Sequence, residues 1–252
     1  MNNAGKDLGN EEGGAGGSAS ESSERLRGKI SSLEKQLREK SEALRELREK
    51  IETRSLFEFS EKGLKLKLYR ILLEKFSSLI NEQGKKTIGE IKGLVNGEDL
   101  TIQGVLSELK PENYDFEKHY LNAAKKAFGF VKKEIDFAKA DFNLVYWLEP
   151  REILTHRVAD DEDIAVFLCS LLHGLGDDSA SVVIAEMENL STHAFVLMEF
   201  EEKAYFLDAT QDHSFGEFSG KITEVLKKYS FKGAKIKRLM YKFNHFEYRQ
   251  FL

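Results

Sequence analysis

Ala159-Asp160-Asp161-Glu162-Asp163-Ile164-Ala165-Val166-Phe167-Leu168-Cys169-Ser170-Leu171-Leu172-His173-Gly174-Leu175-Gly176 reads as an acidic helix start, a helix apolar almost all round and a glycine stop. Carboxylates in a first turn sit well against the positive end of the helix dipole. Gly174 suits the residue just past a helix end. A helix this apolar is expected to be buried, with the rest of its domain wrapped around it.

The flanking sequence supplies that wrapping. Pro111 opens a unit whose amphipathic helix is expected over 115–139, turning Tyr120, Ala124, Ala127, Phe128, Val131 and Ile135 to the core. Trp147 then leads to Pro150, and proline suits an early helical position because that amide has no partner within the helix. Beyond Gly176-Asp177-Asp178 the apolar period changes, and 181–186, 193–200 and 204–209 read as strands rich in Val, Ile and aromatics. Glu201-Glu202-Lys203 joins the last two as a hairpin, which carries His193 towards Asp208. A helix over 223–229 and a strand over 234–243 complete an α+β domain with an antiparallel sheet packed on the buried helix.

Read together, these motifs resemble the transglutaminase-like branch of the papain-like cysteine enzymes. In that family a Gly-Asp-Cys-Glu-Asp-x-Ala motif opens a buried helix ending in Leu-Leu-x-x-Leu-Gly. A His-Ala-x-Val strand and a Leu-Asp-x-Thr strand follow. The matching stretches here are Ala159 to Ala165, Leu171 to Gly176, His193-Ala194-Phe195-Val196 and Leu207-Asp208-Ala209-Thr210. Tyr146 to Leu154 resembles the aromatic, Pro-led helix that precedes the motif, which makes Trp147 a substrate-binding candidate. One position departs from the pattern: Asp161 stands where the family places its nucleophilic cysteine. The resemblance covers residues 111–252 and implies that positions 161, 193 and 208 lie together.

The departure changes the expected chemistry. A thiolate at a helix start is stabilised by unpaired amides, with a nearby imidazole to hold its proton and a carboxylate to orient the ring. His193 and Asp208 fit the last two roles, whereas Asp161 offers a carboxylate, a poor nucleophile towards an unactivated amide. Cys169 lies eight residues on, about 12 Å along the helix axis, and reads as a small buried hydrophobe. Asp161 is therefore expected to act as a helix-start anion. A metal bound by Asp161, His193 and Asp208 is not expected, because no three-ligand spacing supports it and a helix N-terminus repels cations. No cofactor is assigned either. His156, His173, His119, His213 and His245 read as surface or packing residues.

The N-terminal half has a different texture. Residues 1–23 hold six of the nineteen glycines and little that is apolar, the composition of a tail that cannot offset its ordering entropy. From 24 to 54, Leu26, Ile30, Leu33, Leu37, Leu44, Leu47 and Ile51 recur at alternating spacings of four and three, with Lys40 on the same seam. That is a coiled-coil pattern, and it points to a homo-oligomer or partner-binding arm through residues 26–51. Residues 55–110 read as a helical connector.

The net charge of −5 is unevenly spread: 221–252 carries nine Lys or Arg against two Glu, interleaved with aromatics. Such a tail can contact phosphates and bases, but no nucleic-acid motif accompanies it, and solvated lysines over buried aromatics are the expected reading. No apolar run reaches the roughly 18 residues of a membrane span. A single cysteine rules out an internal disulfide and fits a cytoplasmic setting. The expected function is a non-catalytic transglutaminase-like domain that binds a protein or peptide partner through its cleft and coil. An active peptidase, amidase or transamidase, and a nucleic-acid scaffold, are the alternatives.

Overall fold

The computed structural model describes residues 16–58, 61–139, 144 and 146–251, with side chains from 27–50 and, within those ranges, from 62 onward. The chain divides into two units, Met1–Leu73 and Glu74–Leu252. In the first, α1 runs from Gly16 to Glu58, starting ahead of the expected 24. Residues 1–15 of the expected tail lie outside the described residues. Every described side chain of α1 from Arg27 to Lys50 is exposed. The next helix, α2 (Glu61–Gly84), crosses the boundary between the units.

The second unit is α+β. Its helices are α3 (Ile88–Leu94), α4 (Leu100–Leu109), α5 (Phe116–Glu134), α6 (Pro150–His156), α7 (Asp161–Gly174) and α8 (Ile222–Lys228). Two short strands, β1 (Asp136–Phe137) and β2 (Val158–Ala159), pair in parallel beside the start of α7. The main sheet is antiparallel and seven-stranded, ordered β6-β5-β4-β3-β8-β7 with β9 also on β8. Its members are β3 (Ser181–Met187), β4 (Thr192–Phe200), β5 (Lys203–Leu207), β6 (Ser219–Gly220), β7 (Ser230–Phe231), β8 (Ala234–Phe243) and β9 (Tyr248–Gln250).

The organising helix is buried along eleven of its fourteen residues. Asp160 caps it, its side chain accepting the Asp163 N–H at 2.9 Å. Alternation along the strands serves two cores. Val182, Ile184, Ala194, Val196, Met198 and Leu207 join the α7 cluster, while Val183, Ala185, Phe195, Leu197 and Phe206 face Val225, Tyr229 and Phe231. The β4–β5 hairpin turns on Glu201 and Glu202, both left-handed at φ 49° and 61°. Val196 lies opposite Leu207, so Asp208 leaves β5 within reach of the start of β4.

Two expectations change. The amphipathic helix ends at Glu134 rather than 139, because the chain becomes extended at Ile135 and enters β1. The last helix of the expected connector packs on the domain: Ile102, Val105 and Leu106 of α4 belong to the α7 core. Close approach explains why. A Cβ added to Gly97 would lie 2.6 Å from the Gly174 backbone nitrogen, and one added to Gly174 would lie 2.4 Å from Leu106 Cδ1. Asn96 N–H donates to Ser170 Oγ at 3.1 Å, and Lys110 Nζ to the Gly174 carbonyl at 2.7 Å. Gly174 is thus the last helical residue, kept small for packing. The left-handed turn falls on Gly176 (φ 98°), whose N–H bonds the His173 carbonyl at 2.8 Å.

A paired substitution tests this contact. Gly97→Ala meets backbone that has little room to give and should cost about 1–3 kcal/mol. Gly104→Ala, inside α4 with nothing within 4 Å of the new Cβ, should stabilise by about 0.5–1 kcal/mol. Urea midpoints followed by the fluorescence of Trp147, the single tryptophan, separate the two. Equal effects would show that α4 does not depend on this approach.

Candidate functional site

The three positions singled out in the sequence come together at the start of α7. Asp161 is the first residue of that helix, His193 the second of β4, and Asp208 follows β5. His193 Nε2 lies 3.0 Å from Asp208 Oδ2, and its Nδ1 lies 2.9 Å from Asp161 Oδ2. The first contact is an aligned hydrogen bond, while the second is a close charge contact off the line of the N–H. Asp161 Oδ2 instead accepts the Ala194 N–H at 3.0 Å, tying the helix start to β4.

Local sequence holds each member. Thr210 donates both its N–H (3.0 Å) and its hydroxyl (2.7 Å) to Asp208 Oδ1, which gives the Leu-Asp-x-Thr motif its physical sense. Gln211 Nε2 and the Tyr229 hydroxyl each donate to Asp208 Oδ2 at 2.7 Å. Phe231 stacks on the imidazole at 3.6 Å between ring centroids and 10° between planes. Lys139 reaches in from beyond β1, its Nζ donating to the Thr192 carbonyl at 2.6 Å and lying 3.7 Å from Asp161 Oδ1.

Electrostatics make this a balanced cluster. Burial by itself would lower the pKa of His193, but the carboxylates on either side outweigh burial and raise it. Burial would likewise raise both carboxyls. The imidazolium between them, with Lys139 and Ala194 N–H at Asp161 and Thr210 and Tyr229 at Asp208, holds both below the ordinary carboxylate range. Two carboxylates therefore face the imidazole and the Lys139 ammonium. The carboxylates on either side favour the protonated ring, and an imidazole protonated on both nitrogens has no lone pair with which to act as a base. Access is also closed: His193 is 0% exposed, Asp208 1% and Asp161 4%.

Deeper in the same helix start, Asp163 turns its carboxylate to the Leu148 N–H at 2.9 Å. Burial first, and the Asp160 charge second, push its carboxyl up to about 8, and Glu162 is pushed up to about 7 in the same way. Among the described residues no group of three or more His, Cys, Asp or Glu side chains is placed to hold a metal ion. Cys169 is fully buried, and burial raises its thiol well above its ordinary value.

Trp147 is not brought to the cluster. It packs edge-on against Phe243 at 6.0 Å and lines a separate cavity of about 510 Å³ with Lys86, Glu90, Tyr146 and Arg151. Three of the nine basic residues of the tail form ion pairs within the domain: Lys237 and Arg238 both reach Glu186 at 2.6 Å, and Lys242 reaches Glu247 at 2.5 Å. His173 packs beside Phe246 with Nε2 2.9 Å from the Ala180 carbonyl, and His213 is buried between Phe128 and Phe218. Among the described residues no helix is long and apolar enough to cross a membrane.

Lys139, Gln211, Tyr229 and Phe231 were not read as site residues. Thr210 was visible through its motif, whereas Tyr229 and Phe231 stood among the aromatics of the basic tail, with no local mark to set them apart.

No protein-family model and no curated protein matches this sequence. Among solved structures, LapG of Legionella pneumophila is similar at 16% identity over 71% of this chain and 87% of its own, with a TM-score of 0.42. Its calcium-bound form is similar at 16% identity over the same shares, with a TM-score of 0.43. A candidate cysteine protease from Cytophaga hutchinsonii is similar at 14% identity over 54% of each chain, with a TM-score of 0.28.

Proposed function

We propose that residues 111–252 form a non-catalytic domain of the transglutaminase-like kind, acting in binding or scaffolding, with α1 as an assembly arm. One observation carries this reading: a carboxylate, Asp161, occupies the helix-start position facing His193, and the imidazole is sealed between two anions beneath Phe231. A protonated ring takes no proton from a nucleophile. Asp161, held as an anion by its neighbours, is a weak base and a poor nucleophile towards amides. The cluster then serves as a charged pin joining α7, β4 and the end of β5. The binding surfaces lie elsewhere.

The order of acidic helix start, His-bearing strand and Asp-ended strand supports descent from a thiol enzyme. Asp161→Cys tests it without a substrate. The new thiol faces a cationic ring, so its pKa, read from iodoacetamide alkylation between pH 5 and 9, should fall well below the free-thiol value of about 8.5. The unsubstituted chain, with its buried Cys169, gives the background. The depression should vanish when His193→Gln is added. Alkylation should also be slow in absolute terms, because position 161 is 4% exposed. Turnover of peptides or glutamine amides by the unsubstituted chain, abolished in Asp161→Asn, would overturn the non-catalytic reading.

A further inference from the structure

We infer that α1 pairs with α1 of a second copy of this chain, parallel and in register, as a two-stranded coil over residues 27–50. This deepens the assembly-arm part of the reading above and is independent of the state of the Asp161–His193–Asp208 cluster. Ile30, Leu33, Leu37, Leu44 and Leu47 stand on one stripe of α1 and are 54%, 63%, 68%, 60% and 55% exposed. The stripe is about 26 Å long, and its alternating spacing of three and four is that of a two-helix seam rather than of a helix lying on a domain. Within the same unit α2 does not cover it: Leu64, Leu68 and Ile71 are themselves 52–55% exposed.

Charge decides the orientation. With Ile30, Leu37 and Leu44 at the first core position of each heptad and Leu33, Lys40 and Leu47 at the second, the residues flanking the seam are Arg27, Lys29, Glu34, Gln36, Ser41, Ala43, Arg48 and Lys50. In a parallel, in-register pair each flanking residue before a first core position meets the one five places later on the partner strand. Lys29 then meets Glu34 twice, while Gln36 meets Ser41 and Ala43 meets Arg48, with no like charges opposed at these flanking positions. Reversing one strand on the same apolar layers sets Arg27 against Arg48 and Lys29 against Lys50, four like-charge contacts in all.

Lys40 fixes the register. In register, both lysines share one layer, a single like-charge contact that their long stems can splay apart, and the other layers stay apolar. A heptad shift or a reversal places each Lys40 against a leucine and spoils two layers.

The full-length chain tests this directly. Light scattering should give twice the chain mass of 28.8 kDa at micromolar concentration. Lys40→Leu should tighten the dimer at least tenfold, and Leu37→Lys should dissociate it. Ile30→Cys should form a disulfide-linked dimer under mild oxidation, because parallel strands bring position 30 against itself. Cross-linking only between Ile30→Cys and Leu47→Cys chains would overturn the parallel arrangement. A monomer at all concentrations would overturn pairing. A monomer that co-sediments with phosphatidylcholine–phosphatidylserine vesicles would assign the stripe to a lipid surface instead. None of these readouts depends on Asp161, so a failed coil and a failed non-catalytic reading remain distinguishable.

Discussion

Replacing His193 by alanine should destabilise the α+β unit by about 3–5 kcal/mol, the cost of breaking a buried ion pair from one side. The ring is 0% exposed, and its removal leaves Asp161 and Asp208 as buried anions, with Lys139 only 3.7 Å from the first. It also strips Phe231 of its stacking partner. For a domain of this size the loss corresponds to a fall of roughly 10 °C in melting temperature. The companion variant is His193→Gln with Asp161→Asn, which keeps polar groups in similar volume and removes one charge of each sign. It should recover much of the loss, since replacing a whole buried pair costs far less than orphaning one member. Both are read from urea unfolding followed at Trp147. A histidine kept for catalysis would be replaceable with little change in stability, so a loss below about 1 kcal/mol would sink the structural role assigned to the cluster.

The second large effect is a pH dependence, and its sign differs between groups. His193 is raised above its ordinary 6.5, so its contribution is fully present below pH 6.5 and is lost as the pH rises through the folded value. Asp161 and Asp208 are held below 3.8, so theirs is present above that pH and lost on acidification. Asp163 runs the other way from these two carboxylates. Raised from 3.8 to about 8 by burial and by Asp160, it favours the fold fully below pH 3.8, and that contribution is lost as the pH rises through about 8. The fold should therefore be most stable at mildly acidic pH, below 6.5 and above the carboxylate range.

Asp163→Asn isolates that last group, because an amide oxygen can still accept the Leu148 N–H without carrying charge. At pH 8.5 the variant should exceed the parent by on the order of 2 kcal/mol, allowing for water around the neighbouring acids. At pH 4 the two should be nearly equal. Thermal melts at both pH values decide it. A gain of the same size at pH 4 and 8.5 would mean that packing, not ionisation, had changed.

Much of the architecture was legible because it is carried by short-range rules. Asp160 and the acids after it mark a helix start, and the eight buried apolar residues of α7 follow from its all-round apolar pattern. Runs rich in Val, Ile and aromatics mark β3, β4 and β5, and a short link between the last two makes a hairpin. Pro150 opens α6 at the position where a missing amide proton costs nothing. His193 and Asp208 were nameable for the same reason: each ends a strand of that hairpin, and register alone carries them towards one another.

What the sequence could not settle rests on contacts between distant segments. Gly97 and Gly174 carry no local sign that they oppose each other, yet their missing side chains bring α4 into the core. Tyr229 and Phe231 read as two more aromatics in a basic tail. Only the path of β7 beside β8 places one hydroxyl on Asp208 and one ring over His193, and so closes the site. Trp147 stood close in sequence to the organising helix, but its ring turned to Phe243 and another cavity. Sequence alone determined which helix and strands would form and that the nucleophile position holds a carboxylate, because local periodicity and residue identity suffice for both. Tertiary structure alone decided that this carboxylate is buried and charge-balanced by two distant segments, β4 and the stretch after β1 that carries Lys139, because burial and charge balance are properties of the assembled core.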